Sequence, residues 1–128
     1  MELVPLTKSI PETEPKIRVY RRYVTLNVAA VNLLGLKDDD YVQFATPVHG
    51  FRKEIYLRKT SVSVGAYRAK TQRGRGVMRL SSNNLCSLLA DNLDGPGCYL
   101  VSPSVTVDDP NGTYYNIFFK NYDKENSN

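Results

Sequence analysis

The period of the hydrophobic and polar positions changes near residue 27, which separates a strand from a helix. Ile17 and Val19 alternate with Arg18 and Tyr20, and the strand pattern continues at Val24-Thr25-Leu26, as expected of a strand with one buried face. The apolar residues of 28–34 recur at helical spacing. Asn27 is a suitable N-cap, because its side chain can accept a hydrogen bond from a first-turn amide. Gly35 is a suitable end, because glycine enters the left-handed region without a Cβ penalty. We therefore predict a short helix between these two residues.

A hairpin is predicted after this helix. The three aspartates at 38–40 favour a charged turn, and apolar residues with strand character return in 41–45 and 54–59. The segment 47–52 between them contains a proline and a glycine, which favours a turn.

The second half of the chain repeats the order of strand, short helix, polar turn, strand, proline-containing turn and strand. Its predicted elements are a strand at 77–80, an N-cap at Ser81 or Ser82, a helical stripe of Leu85, Leu88 and Leu89, a turn at 94–97, a strand at 98–101, a long turn region at 103–112, and a final strand at 114–120.

The two halves match in pattern more than in residue identity. Met78 lies 54 positions after Val24, and Cys98 lies 57 positions after Tyr41. One half alone has open strand edges and a one-sided helix, so it cannot bury its apolar face. Two halves can pair about a pseudo-twofold axis, as two chains do in a dimer. We expect a β-rich α+β fold: a small, mostly antiparallel barrel with two short helices, such as an internal duplication would produce.

The expected organisation is one compact domain with extensions at both ends. Prolines punctuate residues 1–15, which favours an extended arm. Residues 16–120 form the domain, with halves at about 16–60 and 66–120. The polar residues 121–128 form a flexible tail.

The net charge of +4 on 128 residues is distributed unevenly. Residues 55–90 contain no acidic side chain, and a second basic cluster precedes Tyr23. If the halves are related by a pseudo-twofold axis, the two clusters occupy equivalent places and form one basic surface. The candidate nucleic-acid-binding residues are Lys16, Arg18, Arg21, Arg22, Arg68, Lys70, Arg73, Arg75 and Arg79. The alternative to a binding surface is that these residues form the solvent-exposed face of strands in which polar and apolar side chains alternate.

Tyrosines lie among these basic residues. Tyr20, Tyr23 and Tyr67 could stack on the bases of a single strand, while arginine can bond phosphate or guanine bidentately.

Catalytic and metal sites are not indicated. The single histidine, His49, lies in a predicted turn, and the aspartates at 38–40 lack the spacing of a calcium loop. Cys86 and Cys98 are too few for a zinc site, and the sequence leaves open whether they pair. We expect no catalytic residues, no metal and no cofactor, and therefore not an enzyme. No apolar stretch is long enough for a membrane span and no signal peptide is visible, so a cytoplasmic location is expected.

Residues 21–59 resemble the AbrB-like swapped-hairpin module, with a weaker second copy at about 75–120. The resemblance rests on Tyr-Val-Thr-Leu-Asn before the helix, Leu-Gly-Leu-Lys at its end, and Val-Gln-Phe in the next strand. Asn27 stands where the family usually has proline, and Asp38-Asp39 replaces a Pro-Gly turn. Members of the family are dimeric DNA-binding regulators and antitoxins. The resemblance implies a fused, single-chain version of that module.

Two functions follow as hypotheses. The first is a small nucleic-acid-binding protein, a DNA-binding regulator, that uses the basic loops and strands on one face. The alternative is a non-catalytic structural or assembly protein of a phage or mobile element, whose N-terminal arm docks on a protein partner or on a second copy.

Overall fold

The computed structural model describes residue 3, residues 14–47, 54–72 and 76–119, and residue 121. Most of the predicted arm, residues 122–128 of the tail, His49 with its turn, and Arg73 and Arg75 lie outside the described residues. The elements are β1 (Lys16–Val19), β2 (Tyr23–Leu26), α1 (Val28–Leu34), β3 (Tyr41–Ala45), β4 (Ile55–Thr60), β5 (Tyr67–Arg68), β6 (Lys70–Thr71), β7 (Met78–Ser81), α2 (Asn83–Asn92), β8 (Gly97–Asp109) and β9 (Gly112–Ile117).

Both helices begin at capped positions, as predicted. The Oδ1 of Asn27 accepts hydrogen bonds from the amides of Ala30 and Lys16, each at 2.9 Å, so this side chain joins the start of α1 to β1. Gly35 ends α1 in the left-handed region at φ 67°. In the second half the cap is Ser82, whose Oγ accepts from the amide of Leu85 at 3.1 Å.

The predicted leucine stripe of α2 is wrong at one position. Leu85, Cys86 and Leu89 are buried, whereas Leu88 is 54% exposed. Leu85, Cys86 and Leu89 form the buried face of α2, and Leu88 lies at its solvent-exposed edge.

The first predicted strand is two strands. β1 and β2 pair antiparallel, with Ile17 opposite Leu26, and the chain reverses where the amide of Tyr20 donates to the carbonyl of Tyr23 at 3.0 Å. The turn contains neither glycine nor proline, so the sequence marks the reversal only by a change of phase. The buried apolar residues are at odd positions in β1 (Ile17, Val19) and at even positions in β2 (Val24, Leu26).

The strands form a nearly closed antiparallel barrel, which confirms the predicted fold class. Their order is β5-β3-β4-β9-β8-β1-β2-β7-β6. The first and last strands of this order adjoin in the chain, because β5 and β6 are separated only by Ala69, which is fully buried. β5 pairs with β3 and β6 pairs with β7, so this short segment joins the two ends of the sheet. The sequence did not predict β5 and β6, since each contains only two residues.

The strand pairings repeat between the halves. Exchanging β2 with β7, β3 with β8, β4 with β9 and β1 with the β5–β6 segment leaves the pattern of neighbours unchanged. The halves are joined by β2–β7 and β4–β9, which the exchange maps onto themselves, and by β1–β8 and β3–β5, which it maps onto each other. A pseudo-twofold relation is therefore present in the topology.

The predicted turn region at 103–112 is wrong, because β8 continues to Asp109 and turns into β9 only at residues 110–111. The strand is irregular where Pro103 interrupts it. The register against β9 shifts between Val101 and Thr106, and the Oγ of Ser102 accepts from the amides of Ser104 and Val105. Such an irregularity accommodates a proline that cannot donate to a ladder. The final strand, predicted to reach Lys120, ends at Ile117.

Arg58 fastens the extended part of β8 and β9 to the barrel. Its guanidinium is bonded to Asp109 at 3.0 Å and to Gln43 at 2.8 Å, and it lies 4.4 Å from the ring centre of Tyr114.

The core lies inside the barrel and under both helices. Its largest fully buried side chains include Ile17, Leu26, Leu57, Leu80, Leu85, Tyr99 and Ile117. Asn121 also belongs to the folded domain rather than to the tail, since it is buried and its amide nitrogen donates to the carbonyls of Asp94 and Pro96.

Replacing Gly97 should test this C-terminal attachment. Gly97 has φ 149°, and a Cβ at this position would overlap the side chain of Asn121. We expect Gly97→Ala to lower the free energy of unfolding by about 3 kcal/mol, from backbone strain and overpacking together. Gly95→Ala is the matched control, because Gly95 also has positive φ but no atom within 4 Å of the added Cβ. It should cost only about 1 kcal/mol. Urea unfolding measures both, and equal losses would contradict the proposed overlap.

Candidate nucleic-acid interface

The register of four strands places predicted binding residues in one row. Arg18 on β1 lies opposite Thr25 on β2, Thr25 lies opposite Arg79 on β7, and Arg79 lies opposite Lys70 on β6. The residues on either side of Thr25 in β2 are buried, so the row points outward. Directly opposed residues have Cβ atoms about 5 Å apart. We call this outer surface of β1, β2, β7 and β6 the basic face.

The pseudo-twofold exchange centres on this row. Shifting β2 by 54 positions superposes Thr25 on Arg79, so the axis passes through this pair of residues. Arg18 lies between Thr25 on β2 and Cys98 on β8. In the second half two residues take its place: Lys70 lies opposite Arg79, the counterpart of Thr25, and Arg68 lies opposite Tyr41, the counterpart of Cys98. Arg18 and the pair Arg68 and Lys70 therefore occupy equivalent places around one axis, whereas Arg79 is the counterpart of Thr25.

Aromatic side chains lie at one end of the basic face. The rings of Tyr20 and Tyr23 are stacked with their centres 4.5 Å apart, and the Arg79 guanidinium lies 4.0 Å from the ring centre of Tyr23. Arg79 Nε also donates to the hydroxyl of Ser81 at 3.1 Å. Tyr67 does not join this group, because it packs on the core, edge to face with Phe44. Of the three predicted stacking tyrosines, only Tyr20 and Tyr23 are on the basic face.

Arg21 and Arg22 form the tip of the turn between β1 and β2, and both are exposed. Within the described residues neither makes an ion pair. The equivalent loop between β6 and β7 contains Arg73 and Arg75, which are outside the described part of the chain.

Acidic residues that are distant in sequence approach the acid-free stretch in space. The Asp39 carboxylate accepts a hydrogen bond from Lys70 and lies 3.9 Å from Arg68. Asp40 lies 3.5 Å from Lys59, and Asp109 pairs with Arg58. The net positive charge of this surface is therefore smaller than the acid-free sequence of residues 55–90 indicates. Sequence reasoning missed this compensation, since it depends on the packing of the turn at 38–40 beside β6.

Asp38 in the same turn fixes the edge of the basic face. Its Oδ1 accepts the backbone amide of Thr71 at 2.8 Å, and this hydrogen bond holds the pKa of the Asp38 carboxyl below its usual value. The charge of Lys70 adds to the effect.

A small notch opens on the β1 side of the basic face. It has a volume of about 180 Å³ and is lined by Lys16, Arg18, Thr25, Asn27, Val77 and Cys98. Cys98 and Cys86 are buried thiols and are not joined in a disulfide, and burial raises the pKa of the Cys86 thiol.

Comparison of the chain with protein-family models, with curated proteins and with solved structures finds no match. Among the described residues, no group of three or more histidine, cysteine or acidic side chains is placed to hold a metal ion. None of the helices in that part of the chain has the length and apolar character that a bilayer span requires.

Acid should loosen the β6 edge. A carboxyl whose pKa is lowered in the folded protein stabilises it at pH values above its ordinary pKa of 3.8, and the contribution is lost as the pH falls through the folded-state pKa. We expect the Thr71 amide to exchange faster with solvent, relative to Leu80 in the barrel, as the pH falls through that range. Amide exchange measured by NMR in parallel on Asp38→Asn provides the check. If the ratio of the two rates in the parent protein is independent of pH, the proposed linkage is wrong.

Proposed function

We propose that this protein binds nucleic acid, and DNA first, through the basic face and the turn at Arg21 and Arg22. The observation that carries the proposal is the outward row of Arg18, Arg79 and Lys70 across four paired strands, in which Asp39 partly offsets the charge of Lys70. Rigid strands hold these charges at fixed spacing. The exposed arginines of the turn are suited to phosphate contacts, which provide most of the affinity of such proteins.

The stacked tyrosines support a contact with bases as well as phosphates. Tyr20 is exposed and covers one side of Tyr23, so its outer ring face is open to a splayed base. The resemblance to the AbrB-like module supports a regulator that binds duplex DNA. We propose a binding protein without catalysis, located in the cytoplasm. Cys86 and Cys98 are buried and not joined in a disulfide, which suits a reducing compartment.

Salt dependence should test this proposal. The double variant Arg21→Ala with Arg22→Ala should weaken binding to a fluorescent duplex, since two phosphate contacts are lost. Each contact contributes about 0.9 to the slope of log affinity against log salt, so the slope should become shallower by about 2. Fluorescence anisotropy between low and physiological salt measures both quantities, with single-stranded DNA as a second probe.

Lys59→Glu is the matched control. It changes the net charge by the same two units on β4, which is separated from β2 by three strands in one direction around the barrel. This variant should bind nearly as the parent protein does. Equal weakening by both variants would show an effect of overall charge alone, and undetectable binding at low salt would refute the proposal.

A role in assembly is a second candidate, favoured by an apolar groove of about 420 Å³ on the outer surface of β4, β9 and β8. Val105, Phe118 and Phe119 line it and remain 40–47% exposed. Clustered exposed apolar side chains of this kind are typical of protein interaction sites. The occupant we propose for this role is a second copy of the chain.

Sedimentation velocity should test the assembly candidate. If assembly is the function, the protein should associate as its concentration rises, and Val105→Ser with Phe119→Ser should abolish the association because the apolar contact is lost. Leu88→Ser is the control, since Leu88 is equally exposed on α2 but does not line this groove. A strict monomer at high concentration would eliminate the assembly role.

A further inference from the structure

We propose that the ring of Tyr20 binds one unpaired nucleobase, so that the protein binds a DNA strand with an unpaired base more tightly than the same strand without its base. The inference rests on the proposed nucleic-acid function for the source of that base. A free nucleoside offers the same flat ring, so the experiment below separates the two sources.

The base site is the end of a column of three flat groups. Tyr20 follows β1, Tyr23 begins β2, and Arg79 is on β7. Since β1 and β7 flank β2 in the sheet, Tyr20 and Arg79 approach the Tyr23 ring from opposite sides. The two rings are 4.5 Å apart at an angle of 27°, and the guanidinium lies 4.0 Å from the Tyr23 ring centre. We call this column the aromatic stack.

Hydrogen bonds fix the aromatic stack at both ends. The amide of Tyr20 donates to the carbonyl of Tyr23 at 3.0 Å, which closes the turn that carries the outer ring. At the other end Arg79 Nε donates to the hydroxyl of Ser81, the residue that lies opposite Tyr23 in the ladder. The rings are therefore ordered before any ligand arrives, so binding costs less conformational freedom than it would on a loose loop.

Tyr20 is the open end of the aromatic stack. It is 38% exposed even though one face of its ring lies against Tyr23. Within the described ranges, neither a second ring nor a guanidinium stacks on it. Its outer face is an exposed aromatic surface on which any nucleobase can stack, because every base has a π-face.

The neighbouring charges are placed for the phosphates of the same strand. Arg21 and Arg22 directly follow Tyr20 and are exposed, so a base on the ring brings its own backbone within reach of their long side chains. In a fully paired duplex each base is covered on both faces by its neighbours, and a base reaches Tyr20 only after it has been unstacked at a cost. The geometry therefore favours a base that is already unpaired.

The second half has no counterpart of this stack. A shift of 54 positions places Val77 where Tyr23 stands, and Thr25 stands where Arg79 does. Neither of these side chains is flat or charged. The aromatic stack therefore occurs once among the described residues, and we expect one base to be bound per chain.

Tyr20→Leu is the decisive variant, because leucine keeps an apolar contact with Tyr23 but has no aromatic face. Tyr20→Phe keeps the face and loses only the hydroxyl, so it should bind as the parent protein does. Phe119→Leu is the matched control, since it removes a similarly exposed ring from the groove of β4, β9 and β8. None of the three changes alters the charge. Circular dichroism verifies that each variant is folded.

The probes are two dye-labelled single strands of about eight nucleotides. One carries a single 2-aminopurine with stable abasic sites elsewhere, and the other is abasic throughout. Their phosphates are the same, so the ratio of their affinities in fluorescence anisotropy measures the base alone, and in the parent protein it needs no variant. We expect a ratio of at least about fivefold for the parent protein, Tyr20→Phe and Phe119→Leu, and a ratio near one for Tyr20→Leu. The 2-aminopurine emission should be quenched wherever the base stacks.

A blunt duplex and free adenosine separate the possible failures. Tyr20→Leu should bind the duplex as the parent protein does, since paired bases do not reach the ring. Duplex binding together with equal affinity of the parent protein for both strands would overturn the base site and leave the proposed function intact. If adenosine shifts the NMR signal of the Arg21 amide in the parent protein but not in Tyr20→Leu, while no strand or duplex binds, the base site stands and the nucleic-acid function is refuted. Failure of every probe to bind would refute both.

Discussion

The strand pairing between the two halves, β2 with β7, β4 with β9, β1 with β8 and β3 with β5, is the constraint on which the whole structure depends. Each half of the chain contains one short helix and strands whose edges would otherwise be open. Only the pairings between halves bury those edges, and they also bring Leu26 and Leu80 into one core. Neither helix is long enough to be stable alone, so both are held by packing on the closed barrel. Closure by backbone hydrogen bonds leaves the outward side chains free to vary.

That freedom explains how one fold can present two unlike surfaces. Inward positions such as Val24, Leu26 and Leu80 are fixed by the core. The outward positions between them, including Thr25 and Arg79, contribute little to closure. Two equivalent places on the basic face can therefore carry a threonine in one half and an arginine in the other without cost to the barrel.

Local signals determined most of what the sequence could predict. The caps at Asn27 and Ser82, the left-handed Gly35 and the strands β3 and β4 all follow from nearby residues. Signals that depend on distant partners were missed. β5 and β6 are too short to show a period, and they exist because β3 and β7 need neighbours at the closing edges. The extension of β8 past Pro103 depends in the same way on β9, whose pairing outweighs the turn propensity of residues 103–109.

The same limit applies to the candidate site, where two pseudo-equivalent places differ in shape and in charge. The basic clusters were visible in the sequence, but the counter-charge was not, because Asp39 reaches Lys70 and Arg68 only through the packing of its turn. Asp39 therefore lies beside the place that is equivalent to the notch. There Arg79 stacks on Tyr23, and Arg68 lies near the ring of Tyr41. An anion approaching that place meets both a carboxylate and occupied space. On the β1 side, Lys16, Arg18 and Thr25 line a notch that no such stack of side chains fills. The carboxylate and the stacked side chains are separate features, so two places that the topology makes equivalent differ in both charge and shape.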